Sequence, residues 1–333
     1  LTHSGDLVLT ADRVMAGDGD VRLAAARLSA TLRDQQQAAN WLTSTNRFDL
    51  NLTGGGAFNL TNTGALRVDS LVSDGLVNVA TEGDLQIGSV TGTTDMAFSG
   101  ADIALLESDY SIDGELSLSA ANQLQLAAAG LTIPEALRLH ASTLNAAGGG
   151  PVILAADTAD LTLTGNQALA LMTRLSQLGL TYHADTLSIN NDRDLALTRW
   201  DAANLAHLSL TASGTLTIPA AGLAASQRLN IDAVDLLDGD RSLTLSAPEL
   251  AVRLSNAGGD HDWTVDADVL DVLLRGQANL SVLAADGLRL ADLNGDANAV
   301  MVENGNFSLV LSSGDLILAG NVSAADLSAD GER

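Results

Sequence analysis

The sequence predicts an all-β chain wound as a right-handed parallel β-helix, with coils of about 18–21 residues and two short helical or loop excursions. The first supporting observation is spacing. Leu187-Ser-Ile189 recurs as Leu208-Ser-Leu210, Leu229-Asn-Ile231 and Leu250-Ala-Val252, each step being 21 residues. An apolar–small or polar–apolar triplet is a short half-buried strand, because successive side chains leave a strand on opposite faces. The second is the interleaved set Leu195-Ala-Leu197, Leu216-Thr-Ile218 and Leu243-Thr-Leu245, which gives each coil more than one strand. A fixed repeat of this size marks a solenoid, whose units bury their apolar faces only by stacking. The third is composition: 46% hydrophobic residues but only 3% aromatic ones suit thin aliphatic layers.

The first coil is announced by Gly5-Asp-Leu-Val-Leu9 and answered by Gly19-Asp-Val-Arg-Leu23. Residues 33–45 interrupt the alternation, since Arg33-Asp-Gln-Gln-Gln-Ala-Ala-Asn-Trp-Leu42 has high helix propensity and predicts a short helix or loop. From Phe48 to Leu126 strands are dense, with steps of 19 (Leu66 to Leu85), 18 (Leu85 to Ile103) and 21 (Ile103 to Leu124). Ile133-Pro134 and Ile218-Pro219 end strands, where a missing N–H harms the ladder least. A second excursion is expected over 165–182: Leu169, Met172, Leu175 and Leu178 follow a helical spacing, with Asn166 as N-cap and Gly179 as stop. The regular pattern then resumes and runs through Phe307/Leu309 and Leu316/Leu318. No capping element is visible at either end, so 1–333 is expected to be one continuous β-helix segment of a longer chain. About 16 coils at the ~4.8 Å strand spacing would make a rod roughly 80 Å long.

Charge and composition exclude several functions. The net charge is −25, and all 16 basic residues are arginine. So acidic a surface offers no footprint for nucleic acid or an anionic membrane. The absence of lysine removes Schiff-base chemistry. Asp far outnumbers Glu, which fits turns, where Asp bonds its own backbone. There is no cysteine, and no stretch approaches the ~18 apolar residues of a membrane span.

The Gly-Asp-Leu-x-Leu/Ile phrases carry a resemblance. Gly64-Ala-Leu-Arg-Val-Asp-Ser-Leu-Val-Ser-Asp-Gly-Leu-Val-Asn-Val-Ala-Thr-Glu-Gly-Asp-Leu-Gln-Ile-Gly-Ser-Val90, Gly5–Leu23 and Gly314-Asp-Leu-Ile-Leu318 are similar to the filamentous haemagglutinin-type exoproteins of bacterial two-partner secretion. The resemblance extends over most of the chain as a style of repeat. It implies a right-handed β-helix, extracellular display on a bacterial surface, and a role in adhesion, cell–cell aggregation or presentation of a distal domain. The family's secretion domain, with its Asn-Pro signatures, is not in this sequence, which has no Asn-Pro pair.

Four sets of residues are candidates for chemistry. Acidic Gly-rich turns can offer the hard oxygens Ca²⁺ requires: Asp260 and Asp262 first, then Asp238, Asp240, Asp18 and Asp20, with Asn294-Gly-Asp296 similar. Asp-Gly and Asn-Gly are also ordinary turn dipeptides, and the tandem Gly-Gly-x-Gly-x-Asp repeat of Ca²⁺-binding β-rolls is missing. Asp192, Arg193 and Asp194 form a cluster of the kind a polysaccharide lyase or hydrolase uses, but the next coil places Ser213, Gly214 and Thr215 opposite them. The five histidines (His3, His140, His183, His207 and His261) have no metal-ligand spacing, and no Gly-x-Ser-x-Gly elbow appears. Trp41, Trp200 and Trp263 could anchor a partner or plug the solenoid beside an excursion. Asn51-Leu-Thr, Asn306-Phe-Ser and Asn321-Val-Ser match a glycosylation acceptor, a pattern that arises easily in such a composition.

The sequence therefore predicts a non-enzymatic structural rod of a secreted or surface-displayed adhesin or filament. No cofactor is expected, Ca²⁺ being the one ligand suggested. The expected partners are further copies stacked end to end or side by side, neighbouring β-helix segments of the same parent chain, or a host or matrix polysaccharide. Neither nucleic acid nor membrane insertion is expected. A carbohydrate-active β-helix enzyme and a periplasmic lipid-conducting groove are the alternatives. The last requires an open, continuously apolar trough.

Overall fold

Alternate residues of nearly every strand are buried, and each strand pairs in parallel with its counterpart in the neighbouring coil. The structure is a computed structural model that describes all residues except 15–19, 109, 166, 203, 239–242 and 332–333. It is a β-solenoid of about 16 coils, and no helix forms among the described residues. The chain divides into two compact units, Leu1–Gly165 and Asn166–Arg333.

In the first unit one parallel sheet takes the strands Asp6–Ala11, Arg27–Leu32, Arg47–Leu52, Leu66–Ser73, Leu85–Gly92, Ile103–Leu105, Gln123–Leu126 and Thr143–Ala146 in that order. A second takes Val21–Ala24, Ala39–Ser44, Phe58–Asn62, Val77–Thr81, Met96–Gly100, Glu115–Ala120, Ala136–Ala141 and Thr158–Leu163. In-register pairing stacks like on like. Leu28, Phe48, Val68, Ile87 and Leu105 form one inward column. Trp41, Leu60, Val79, Phe98, Leu118, Leu139 and Leu161 form another. All are buried. Each such aliphatic side chain contributes about 1.5–3 kcal/mol by leaving water, which a single coil could not obtain alone.

The second unit repeats this logic. Leu187, Leu208, Leu229, Leu250, Leu270 and Leu290 stack in register, and Ile189, Leu210, Ile231, Val252, Val272 and Val300 stack beside them. The 21-residue triplets are thus consecutive rungs. The strands Glu249–Asp266 and Val269–Ala284 are much longer than the rest and pair along most of their length. Gly276 lies just beyond the register shift between them. Its φ is +112°, and an added Cβ would sit 2.4 Å from the Ala257 carbonyl oxygen, so only glycine fits.

Of the two excursions, the first takes the loop alternative in part and the second, expected as a helix, is corrected. Residues 33–38 form a loop, and Ala39–Ser44 is a strand. Inter-coil pairing overrides helix propensity there. Gln35 N donates to Thr53 O, Gly56 N donates to Gln35 O, and Trp41 takes its place in the inward column. The expected N-cap Asn166 lies outside the described residues, and beyond it the strands Leu169–Arg174 and Gln177–Tyr182 form in place of a helix. Leu169 and Leu171 point inward while Met172 is exposed, so the apparent helical spacing is two period-2 strands read across a turn.

Two buried asparagines hold equivalent corners. Asn191 Oδ1 accepts from Thr173 Oγ1 and Leu175 N, both at 2.9 Å, and its Nδ2 donates to the carbonyls of Leu175, Arg193 and Asp194. Asn62 does the same with Thr43 Oγ1, Thr45 N and the carbonyls of Thr63 and Gly64. Each replaces ladder bonds where the chain turns from one strand to the next. On the outer face of the first unit, Arg27, Arg47 and Arg67 stack in register. Asp69 lies 2.7 Å from Arg47 Nη2 and 2.6 Å from Arg67 Nε. The hydrogen bond from Arg47 is the main cause holding the Asp69 carboxyl below the usual carboxylate range.

Candidate functional site

The long strand Glu249–Asp266 brings three of the sequence candidates together. Asp260 and Asp262 project from it, and Trp263 stacks in register between Leu243 and Val282. With Leu236, Leu237, Leu243, Gly258 and His261 they line a cavity of about 320 Å³. Strand alternation explains the division of labour. His261 and Trp263 are buried at 7% and 3% exposure, whereas Asp260 and Asp262 face solvent.

The cavity's chemistry centres on a pair that sequence spacing did not reveal. His261 Nε2 lies 3.4 Å from Asp235 Oδ1, on the strand Asp235–Asp238. The ring of His261 meets that of Trp263 edge-on, centroids 6.1 Å apart. A carboxylate beside an imidazole fixes the ring's orientation, the first requirement of a general acid or base, though this imidazole is largely covered. Asp235 and His261 are 26 residues apart, more than the 21-residue step, so a strict repeat does not align them. The only available signal was a histidine at an inward position of a strand.

The metal candidates are placed as follows. Asp260 Oδ1 accepts a hydrogen bond of 2.7 Å from Asn279 Nδ2, its register neighbour. Asp262 is exposed, as is Asp20. Asp18 and Asp240 lie outside the described residues, as does the side chain of Asp238. Among the described residues no group of three or more His, Cys, Asp or Glu side chains is placed to hold a metal ion. The Asp192–Asp194 cluster performs turn work: Arg193 Nη2 donates to Arg174 O, and Asp194 Oδ1 accepts from Thr215 N at 2.7 Å. Trp41 is buried against Phe58, their centroids 5.0 Å apart, so Trp41 and Trp263 are both interior; Trp200 is half-buried.

Fold and site together define a parallel β-solenoid with one polar, partly covered cavity beside its longest strand. No protein-family model matches the chain, and neither a curated protein nor a solved structure matches it.

Proposed function

We propose that this chain is a structural segment of a large secreted or surface-displayed bacterial adhesin or filament, serving adhesion, aggregation or display of a distal domain. The observation that carries this reading is the unbroken stacking of aliphatic columns within each unit, with parallel ladders joining coil to coil. Such a stack loads many backbone hydrogen bonds side by side, and an acidic sleeve of net charge −25 opposes lateral collapse. Its partners on this reading are further coils, from a second copy or the same parent chain, and cell-surface or matrix polysaccharide. Buried columns, in place of an apolar trough open along its length, do not favour lipid conduction.

Small-angle scattering and negative-stain imaging of the full chain test the proposal. A thin rod is expected, and a compact globule would overturn it. The Asp235–His261 pair beside its cavity is the one feature that favours the second reading, a carbohydrate-active enzyme. Release of reducing or unsaturated ends from acidic polysaccharides, lost in His261→Ala, would replace the structural reading with that one.

A further inference from the structure

A second cavity lies on the outer face of the Asn166–Arg333 unit, away from Asp260, Asp262 and His261, and takes in His207 and Asn294. Three parallel strands, Thr186–Asn191, His207–Ala212 and Arg228–Ala233, pair there in register. Thr186, His207 and Arg228 form one outward column, and Ser188, Ser209 and Asn230 form the next. Leu187 and Leu208 send their side chains inward, so between the columns they present only main chain. The resulting trough encloses about 270 Å³ and ends against Asn294. Strand spacing places its floor groups at intervals of ~4.8 Å along the coil axis.

The end wall is built rather than incidental. Arg228 Nη2 donates to Leu293 O and Asn294 Oδ1, both at 3.3 Å. Asp271, buried at 1% exposure, accepts from Leu293 N and Asn294 Nδ2 at 2.9 Å each. Arg253 Nη2 holds Asp296 at 2.8 Å. Asp292 accepts from the backbone N–H groups of Asn294, Gly295, Asp296 and Ala297, closing the loop on itself.

The lining decides the ligand class. In a chain with 41 acidic residues, the residues that line this trough carry no carboxylate, Glu249 and Asp271 lying behind Arg228 and Asn294. They offer three hydroxyls, two amides, one imidazole and one guanidinium. A phosphate or nucleotide is disfavoured because the loop's backbone N–H groups, which could otherwise form an anion nest, are taken by Asp292. Arg228 already shares its charge with Glu249 at 3.6 Å, and the field of the whole chain repels anions. An extended peptide would need an open strand edge, yet the middle strand of the three is paired on both sides. What remains is a neutral molecule dense in hydroxyl groups, each able to donate and accept.

We propose that this trough binds a neutral glycan, one sugar ring seated against Ser209, Asn230 and Arg228, with the sugar chain leaving past Ser188. The inference rests on the polysaccharide partner of the structural proposal above and gives it a site, but the rod itself does not depend on it. A rod without glycan affinity would sink this one and leave that one intact.

The full chain is titrated with hexasaccharides of β-1,4-linked glucose, mannose and galactose, followed by saturation-transfer NMR and calorimetry. At least one should bind. Asn230→Ala should weaken that binding about three- to tenfold, the size of one lost hydrogen bond. Ser209→Trp should abolish it by filling the trough, while the outward-facing Ser209→Ala keeps the wild-type melting curve. If Ser209→Trp does not fold, Ser209→Gln decides in its place. The proposal is overturned if none of the three sugars binds, if binding survives the blocking variant, or if an oligogalacturonate binds more tightly than all three.

Discussion

Asn191→Ala should be among the most damaging single changes in the second unit, although it removes no apolar side chain. Asn191 is fully buried and serves two donors and three carbonyls at one corner. Alanine strands the Leu175 N–H and the Thr173 hydroxyl, and an unsatisfied buried polar group costs about 1–3 kcal/mol. The three carbonyls each lose one of two possible partners, a smaller cost. Together the change should destabilise by about 3–5 kcal/mol, which at about 2–4 °C per kcal/mol lowers the melting temperature by roughly 6–20 °C. Urea denaturation by far-UV circular dichroism measures the loss, and native-state hydrogen exchange at the Leu175 amide localises it. A double-mutant cycle sharpens the test. Thr173→Val alone should cost about 1 kcal/mol, but in the Asn191→Ala background it should cost nothing, because it deletes the orphaned hydroxyl. Strictly additive effects, or a loss below about 1 kcal/mol for Asn191→Ala, would refute the corner's role.

Three other outcomes are expected. Gly305→Ala should destabilise by more than about 2 kcal/mol, measured by denaturation, since its Cβ would meet the Ala278 carbonyl oxygen at 1.6 Å and backbone would have to move. For pH, Asp69 has its pKa lowered by the hydrogen bond from Arg47, so its contribution is present above the ordinary aspartate value of 3.8 and lost as pH falls through the lower folded-state value. Asp271 has the opposite sign. Burial raises its pKa, so its contribution is fullest below 3.8 and is lost as pH rises through the folded-state value. Asp271→Asn should therefore raise stability near neutral pH, and the gap to wild type should close in acid, as urea titrations from acid to neutral pH would show. Finally, a chelator should leave the melting curve unchanged, because no set of three ligating side chains converges among the described residues. A downward shift on chelation would restore Ca²⁺ as a structural ligand.

The coil repeat was legible because it is written in side chains that must coincide. Leu187, Leu208, Leu229 and Leu250 occupy one column, so their 21-residue spacing is the pitch of the coil itself. Where the sequence misled, a local preference opposed a long-range bond. Leu169 to Leu178 carries a helical spacing, yet each residue there gains more from the coil beside it than from its own turn. Asn62 and Asn191 looked like ordinary polar residues of a Thr- and Asn-rich repeat. The alternation of Leu187 and Ile189, and of Phe58 and Leu60, carries both onto the inward face, but the corner groups they bond are set by the neighbouring coil. Asp260 and Asp262 read as an acidic turn, but they lie within the strand Glu249–Asp266, and the approach of His261 to Asp235 has no signal in the repeat.

By itself, then, the sequence determined the coil: parallel strands, their period, and an aliphatic interior, all set by alternation and spacing along one chain. Tertiary structure decided which polar groups share a space. Asp235 meets His261, and Asn294 closes a trough floored by Ser188, Ser209 and Asn230, across separations that no repeat length encodes. The physical reason is that apolar columns must match coil by coil to exclude water, whereas turns and long strands are free to vary in length. Those variable segments carry the polar side chains to positions that only the folded stack defines.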